Sequence, residues 1–195
     1  MHLAYKFVVE EVMADHLNLP SSAFERVLII GSPGAGKSTL ARRIRDAMGL
    51  PLIYLDMIWH KPDGSNVTHA EFDTQLEEVL RGDHWIIDGN YLHTLPKRLE
   101  RCDTVIFLDM PVEVCLAGAA ARIGQPREDL PWQEDILDPE FVAYIKRFPT
   151  EQRPEIVKTL DAWRDSRRVI ELCSHAEVDA FLTHLLTARD GHVSA

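Results

Sequence analysis

Residues 27–39 read VLIIGSPGAGKST, an apolar run that breaks into glycines and meets a lysine and two hydroxyls where a helix is due. Gly31, Gly34 and Gly36 carry no Cβ, so the backbone can pass through left-handed conformations and aim several N–H groups into one concavity. Such a hollow binds anions, and the positive end of a helix opening near Lys37 strengthens the field. Lys37 adds a full charge on a mobile stem, and Ser38 offers a hydroxyl to magnesium. The spacing GxxxxGKS therefore predicts a phosphate cradle built from Gly31, Ser32, Pro33, Gly34, Ala35, Gly36, Lys37, Ser38 and Thr39.

This is the P-loop signature, and its flanks agree with it. Val27 to Ile30 suit a buried parallel strand, while Leu40, Ile44, Ala47 and Met48 recur at helical spacing until Gly49 and Pro51 stop the helix. An ordinary glycine turn would not require the lysine and the hydroxyl together.

A chain of 195 residues fits one α/β domain with a small mobile insert. Twenty-one Lys and Arg stand against 31 Asp and Glu, a formal charge of -10 that disfavours nucleic acid as a partner. The three cysteines, Cys102, Cys115 and Cys173, have no metal-ligand spacing and are expected to be reduced packing residues. No stretch is apolar enough for a bilayer, and the acids in MHLAYKFVVEEVMADH do not fit a secretory signal, so a cytoplasmic location is expected. Residues 7–17 have the pattern of a short amphipathic helix.

Apolar runs at 27–30, 52–55, 85–87, 104–108 and 168–172 alternate with helical patterning, which predicts a parallel sheet covered on both sides. Ligands gather at the carboxyl edge of such a sheet, where Asp56, Asp88 and Asp109 end three of the runs. KPDGSN at 61–66 and GQPREDLPWQEDILDP at 124–139 are irregular, and the second is long enough to be a lid.

Phosphoryl transfer needs magnesium beside the phosphates, positive charge around the migrating group, and an acceptor in line. Asp88, at the end of WIID, is the expected second metal group with Ser38, although DGN also suits a hairpin turn. Asp109 fits helix capping as well as metal or substrate binding. Arg98, Arg122, Arg127, Arg147 and Arg153 are the candidate cations. Asp56, Trp59, Asn90, Tyr91 and Arg98 are the candidate acceptor contacts, with Asp56 able to orient a hydroxyl and Trp59 equally suited to the core.

The blocks GSPGAGKSTLAR, LPLIYLDMIWHKP, HWIIDGNYLHTLPKRLERCDTVIFLDMPVEVCL, IKRFPTEQRPEI and RRVIEL resemble the adenylate kinase-like P-loop kinases often labelled topology modulation proteins. The resemblance runs from about residue 25 onward and leaves residues 1–24 as an N-terminal extension to a single domain spanning 25–195. It implies a three-layer nucleoside monophosphate kinase-like fold, with a five-stranded parallel sheet in the order 2-3-1-4-5. It also implies ATP, magnesium, a substrate arm near 57–82 and a lid near 118–140. By the same resemblance Lys37 is the phosphate lysine, Ser38 and Asp88 hold the metal, Arg122 is a lid arginine, and Arg147 and Arg153 face the transferring phosphate.

Two positions depart from that pattern. Leu92 stands where adenylate kinases carry an arginine for AMP, and Gly118 stands where relatives place a first lid arginine. The expected function is ATP-dependent phosphoryl transfer to a small acceptor; the alternative is a nucleotide-binding regulatory protein with weak or no catalysis.

Overall fold

The structure, a computed structural model, describes residues 24–192 and the side chains as far as residue 187. The helix expected over residues 7–17 lies outside the described residues. Strands β1 (Arg26–Gly31), β2 (Leu52–Tyr54), β3 (Trp85–Asp88), β4 (Thr104–Leu108) and β5 (Arg168–Leu172) form one sheet. All neighbours pair in parallel, in the order β2-β3-β1-β4-β5, as expected. The three inner strands are unbroken apolar runs because helices cover both of their faces.

Alternation along β1 divides the core. Val27 and Ile29 join Leu40, Ile44 and Phe181 on one face, and Leu28 and Ile30 join Phe72, Leu76 and Phe107 on the other. The first layer is covered by α1 (Lys37–Met48), α5 (Val112–Ala121) and α8 (His175–His192). The second is covered by α3 (His69–Leu80), α4 (Leu95–Arg101) and α7 (Arg153–Asp161). Each fully buried large side chain in these layers, Phe72 for example, contributes about 1.5–3 kcal/mol. Short α2 (Leu55–Trp59) follows β2, and α6 (Pro139–Glu151) places Ile145 in the first layer and Phe148 in the second.

Register brings the chemistry to one edge. Asp88 lies opposite Ile29 and Gly31 opposite Leu108, so the phosphate loop leaves the sheet beside the tip of β3. Asp88 thus ends a parallel strand, not a hairpin. The irregular span 122–138 joins α5 to α6 over the same edge. Cys102 and Cys115 are buried as expected, but Cys173 is exposed, because it follows the last residue of β5 as the chain turns toward α8. Among the described residues, no helix is long and apolar enough to cross a membrane.

Gly118 acquires a steric explanation. A Cβ there would stand 2.2 Å from the Gly34 carbonyl oxygen, and a Cβ on Gly34 (φ 79°) would stand 2.0 Å from the Cys115 carbonyl oxygen. Helix α5 and the phosphate loop therefore touch backbone to backbone, and no arginine fits at 118 in this packing. Gly118→Ala should cost about 1–3 kcal/mol in urea unfolding and weaken binding of an ATP analogue by calorimetry. Unchanged stability and affinity would show that the contact tolerates a side chain.

Candidate active site

The loop between β1 and α1 forms one wall of a cavity of about 750 Å³. Gly36, at φ 94°, opens α1 without any side-chain cap, so the first N–H groups of the helix remain available to an anion. Lys37 donates from Nζ to the Ser32 carbonyl at 3.0 Å. Desolvation lowers its pKa, and Asp88 and Asp56 pull in the opposite direction. A second cavity, of about 570 Å³, lies on the other side of Lys37. The two share Lys37, Ser38, Arg122, Arg127 and Asp129.

At this seam Asp88 is only 5% exposed, and its Oδ1 is a buried atom without a hydrogen-bond partner. Burial pushes its pKa up to about 6, with the Lys37 charge opposing the rise. Ser38 donates from Oγ to Asp129 Oδ2 at 2.7 Å. Burial works against ionisation of Asp129, but Arg127 and Ser38 prevail and hold it at about 2. Oxygen donors beside a partnerless carboxylate oxygen fit a hard cation such as magnesium. Among the described residues no three His, Cys, Asp or Glu side chains form a metal site of their own. A cation here would take its other ligands from phosphate and water.

On the acceptor side Asp56, Asn90 and Tyr91 line the second cavity together. The Tyr91 hydroxyl donates to Asp56 Oδ1 at 2.8 Å, and desolvation with the neighbouring Asp56 charge raises its pKa. Asn90 binds the phosphate loop itself, accepting from Gly31 N at 3.0 Å and donating to Gly31 O at 2.9 Å.

Two expected acceptor contacts are placed elsewhere. Trp59 packs edge-on against Phe72 and Tyr91 and belongs to the second core layer rather than to either cavity wall. Arg98 is fully buried and grips the loop after β3: it donates to the carbonyls of Gly89 (2.9 Å), Asn90 and Tyr91 (3.2 Å) and to Thr94 Oγ1 (3.2 Å). Burial pulls its pKa down to about 9. It lines neither cavity.

The other arginines divide in the same way. Arg122 caps α5 at the seam, with Nε 3.1 Å from Glu134 and its guanidinium 5.0 Å from the centre of the Phe141 ring. Arg147 is exposed and pairs with Glu151 one turn along α6, at 3.2 Å. Arg153 grips Asp109 with two nitrogens, at 2.9 and 2.7 Å, which raises its own pKa. Arg147 and Arg153 line neither cavity, contrary to the placement that the resemblance implied. Asp109 is correspondingly an ion-pair partner; the N-cap of α5 is Pro111.

Sequence reading missed Asp129 and Glu134, and it named Arg127 only as one of five candidate cations. Arg127 binds Asp129 at 2.9 and 2.6 Å and also reaches Glu134, so three lid charges close on one another beside Ser38. The signal was their crowding in PREDLPWQED, a loop with too few apolar residues to pack by itself.

No protein-family model matches the chain. Among curated proteins it is similar to a shikimate kinase of Rhodococcus jostii, 27% identical over 52% of this chain and 68% of that protein. A cytidylate kinase of Nitratidesulfovibrio vulgaris is 28% identical over 87% of this chain and 77% of that protein. Among solved structures, a shikimate kinase from Acinetobacter baumannii in complex with shikimate superposes with a TM-score of 0.55 at 17% identity, covering 89% of this chain and 98% of that one. The fold is that of a P-loop kinase. The named relatives support phosphotransferase activity for this P-loop kinase and leave the acceptor open.

Arg98→Met should destabilise the kinase by about 3 kcal/mol in urea unfolding, because the loop carbonyls lose buried charged donors. A change below about 1 kcal/mol would show that water replaces them. Asp88 gives a pH signature. Its pKa is 3.8 in an unfolded chain and about 6 here, so the folded state holds the extra proton between those values. Its contribution to stability is therefore fully present below the lower value and lost as pH rises through the upper, by roughly 1.4 kcal/mol per unit. Asp88→Asn should flatten that slope between pH 4 and 6 in magnesium-free unfolding curves; an unaltered slope would assign the buried titration to another group.

Proposed function

We propose that the protein transfers the terminal phosphoryl group of ATP to a hydroxyl of a small acceptor. The observation that carries this reading is the pair of cavities meeting at Lys37, Ser38 and Arg122, one walled by the phosphate loop and the other by Asp56 and Tyr91. A donor in the first and an acceptor in the second would meet where the cations stand.

The acceptor oxygen attacks the γ-phosphorus, the bond from that phosphorus to the β,γ-bridging oxygen breaks, and ADP leaves. Asp56 orients the hydroxyl and takes its proton, and Tyr91 holds the carboxylate through Oδ1. Lys37 and the N–H groups at the start of α1 steady the phosphates, and Arg122 stabilises charge on the migrating group. Ser38 and Asp88 would hold magnesium, which neutralises phosphate charge when bound. Lid residues 122–138 close over the seam and exclude water.

The DGNY and RFP blocks ally the chain with the kinases labelled topology modulation proteins, and an ATP donor fits a cytoplasmic setting. Gly118 needs no loss of catalysis to explain it, since packing against Gly34 requires a small residue there. Coupled ADP-release assays with Lys37→Ala should lose about a hundredfold or more in turnover while the unfolding midpoint stays near that of the parent. Equal turnover in the two proteins would refute the assignment.

A further inference from the structure

Ser38 has one proton to give and two carboxylates beside it. Its Oγ donates to Asp129 Oδ2 at 2.7 Å, although Asp88 neighbours it too. Asp129 comes from the lid, 91 residues along the chain, and is 5% exposed. Arg127 fixes it from the lid side, with Nε 2.9 Å from Oδ1 and Nη2 2.6 Å from Oδ2. Asp88 Oδ1, buried at the same seam, is left without a partner. Two further contacts of the lid with the body are more open to water. Glu128 meets Arg45 at an exposed position, 3.0 Å away, and Trp132 lies edge-on to the half-buried His60 with ring centres 4.9 Å apart.

A serine hydroxyl carries one donor and two acceptor lone pairs. Given to Asp88, its proton would occupy a carboxylate that a cation needs. Given to Asp129, it leaves the Ser38 lone pairs and Asp88 Oδ1 both open to a cation. A group that orients a metal ligand in this way tunes metal affinity without touching the metal. Both oxygens of Asp129 are engaged by Arg127 and Ser38, so it serves the hydroxyl and is not itself a ligand. Building on the proposed reading of Ser38 and Asp88 as the magnesium site, we infer that Asp129 is the positioning residue of that site. Because it stands on the lid, it makes metal binding and lid closure favour each other. The coupling is reciprocal: whatever affinity the closed lid adds for the metal, the metal adds to closure.

Calorimetry of a non-hydrolysable ATP analogue, in excess magnesium and again in EDTA, reads the magnesium-dependent gain in affinity. Asp129→Ala should lose about tenfold or more of the parent's gain, while its affinity in EDTA stays near that of the parent and shows the phosphate loop intact. In a Ser38→Ala background the same substitution should cost little more, because Asp129 acts through the hydroxyl. Glu134→Gln, which loosens the lid arginines without touching Ser38, should keep the gain. Magnesium added to the analogue complex should also slow trypsin cleavage after Arg122 and Arg127 in the parent, but not in Asp129→Ala. An undiminished gain in Asp129→Ala would overturn the inference, and a larger one would mean that the lid competes with the metal for Ser38. Equal losses with and without the Ser38 hydroxyl, an equal loss in Glu134→Gln, or equal protection from trypsin in both proteins would overturn it as well. The parent separates the failures. If it gains affinity with magnesium and Asp129→Ala keeps that gain, only the role of Asp129 falls; if the parent gains nothing, the metal reading of Ser38 and Asp88 falls with it.

Discussion

The two bonds between the Asn90 amide and the backbone of Gly31 tie the phosphate loop to the loop after β3. Without that clasp the donor and acceptor walls would be two surface loops, each free to drift by the ångström that in-line transfer does not tolerate. The clasp is itself held from behind, since Arg98 takes the carbonyls of Gly89, Asn90 and Tyr91. A buried guanidinium without a carboxylate beside it is an expensive way to fix a loop. Its use here is intelligible because three carbonyls that accept from one side chain need several donors on it. The same loop holds Tyr91 at φ 35°, a left-handed conformation that a tyrosine adopts only under constraint, and from there its hydroxyl reaches Asp56.

The lid is organised by charge. Its irregular span buries little apolar surface, and Ile136 is 77% exposed; what orders it is the triangle of Arg127, Asp129 and Glu134, with Arg122 beside it. Asp129 Oδ2 accepts from Ser38 Oγ, so the lid is latched onto the hydroxyl that the metal reading needs. A latch of hydrogen bonds and half-buried ion pairs opens at smaller expense than an apolar one, because water can replace its partners as they separate. On the proposed function, that would suit a segment that admits a nucleotide and then covers it.

Most of the fold was legible because its signals are local. Unbroken apolar runs marked the inner strands, glycine spacing marked the phosphate loop, and the tips of the runs marked Asp88 and Asp56. Arg98 was misplaced although a signal existed: Leu95, Arg98, Leu99 and Cys102 recur at helical spacing, and that stripe puts the arginine on the buried face of α4. Its charge pointed instead to an acceptor contact. Trp59 was ambiguous for the opposite reason, since an aromatic ring near a strand tip fits a substrate or the core, and only the position of Phe72 decides. The Asp129–Ser38 contact spans 91 residues, and no periodicity encodes it. Arg147 and Arg153 carried the right residue type, but Glu151 and Asp109 engage them in this arrangement.

On the proposed function, the acids would favour the arrival of polyphosphate and cation as a pair. Asp56, Asp88 and Asp129 crowd one lysine and one serine, and their mutual repulsion helps to raise the Asp88 pKa. Lys37, Arg42, Arg43, Arg122 and Arg127 line the cavity beside the phosphate loop, with Glu128, Asp129 and Asp179 set among them, in a chain whose formal charge is -10. A divalent cation would add charge at the point where Asp88 Oδ1 lacks a partner. On the proposed function, a metal nucleotide would satisfy this edge better than ATP alone, and that difference would favour the complex as donor.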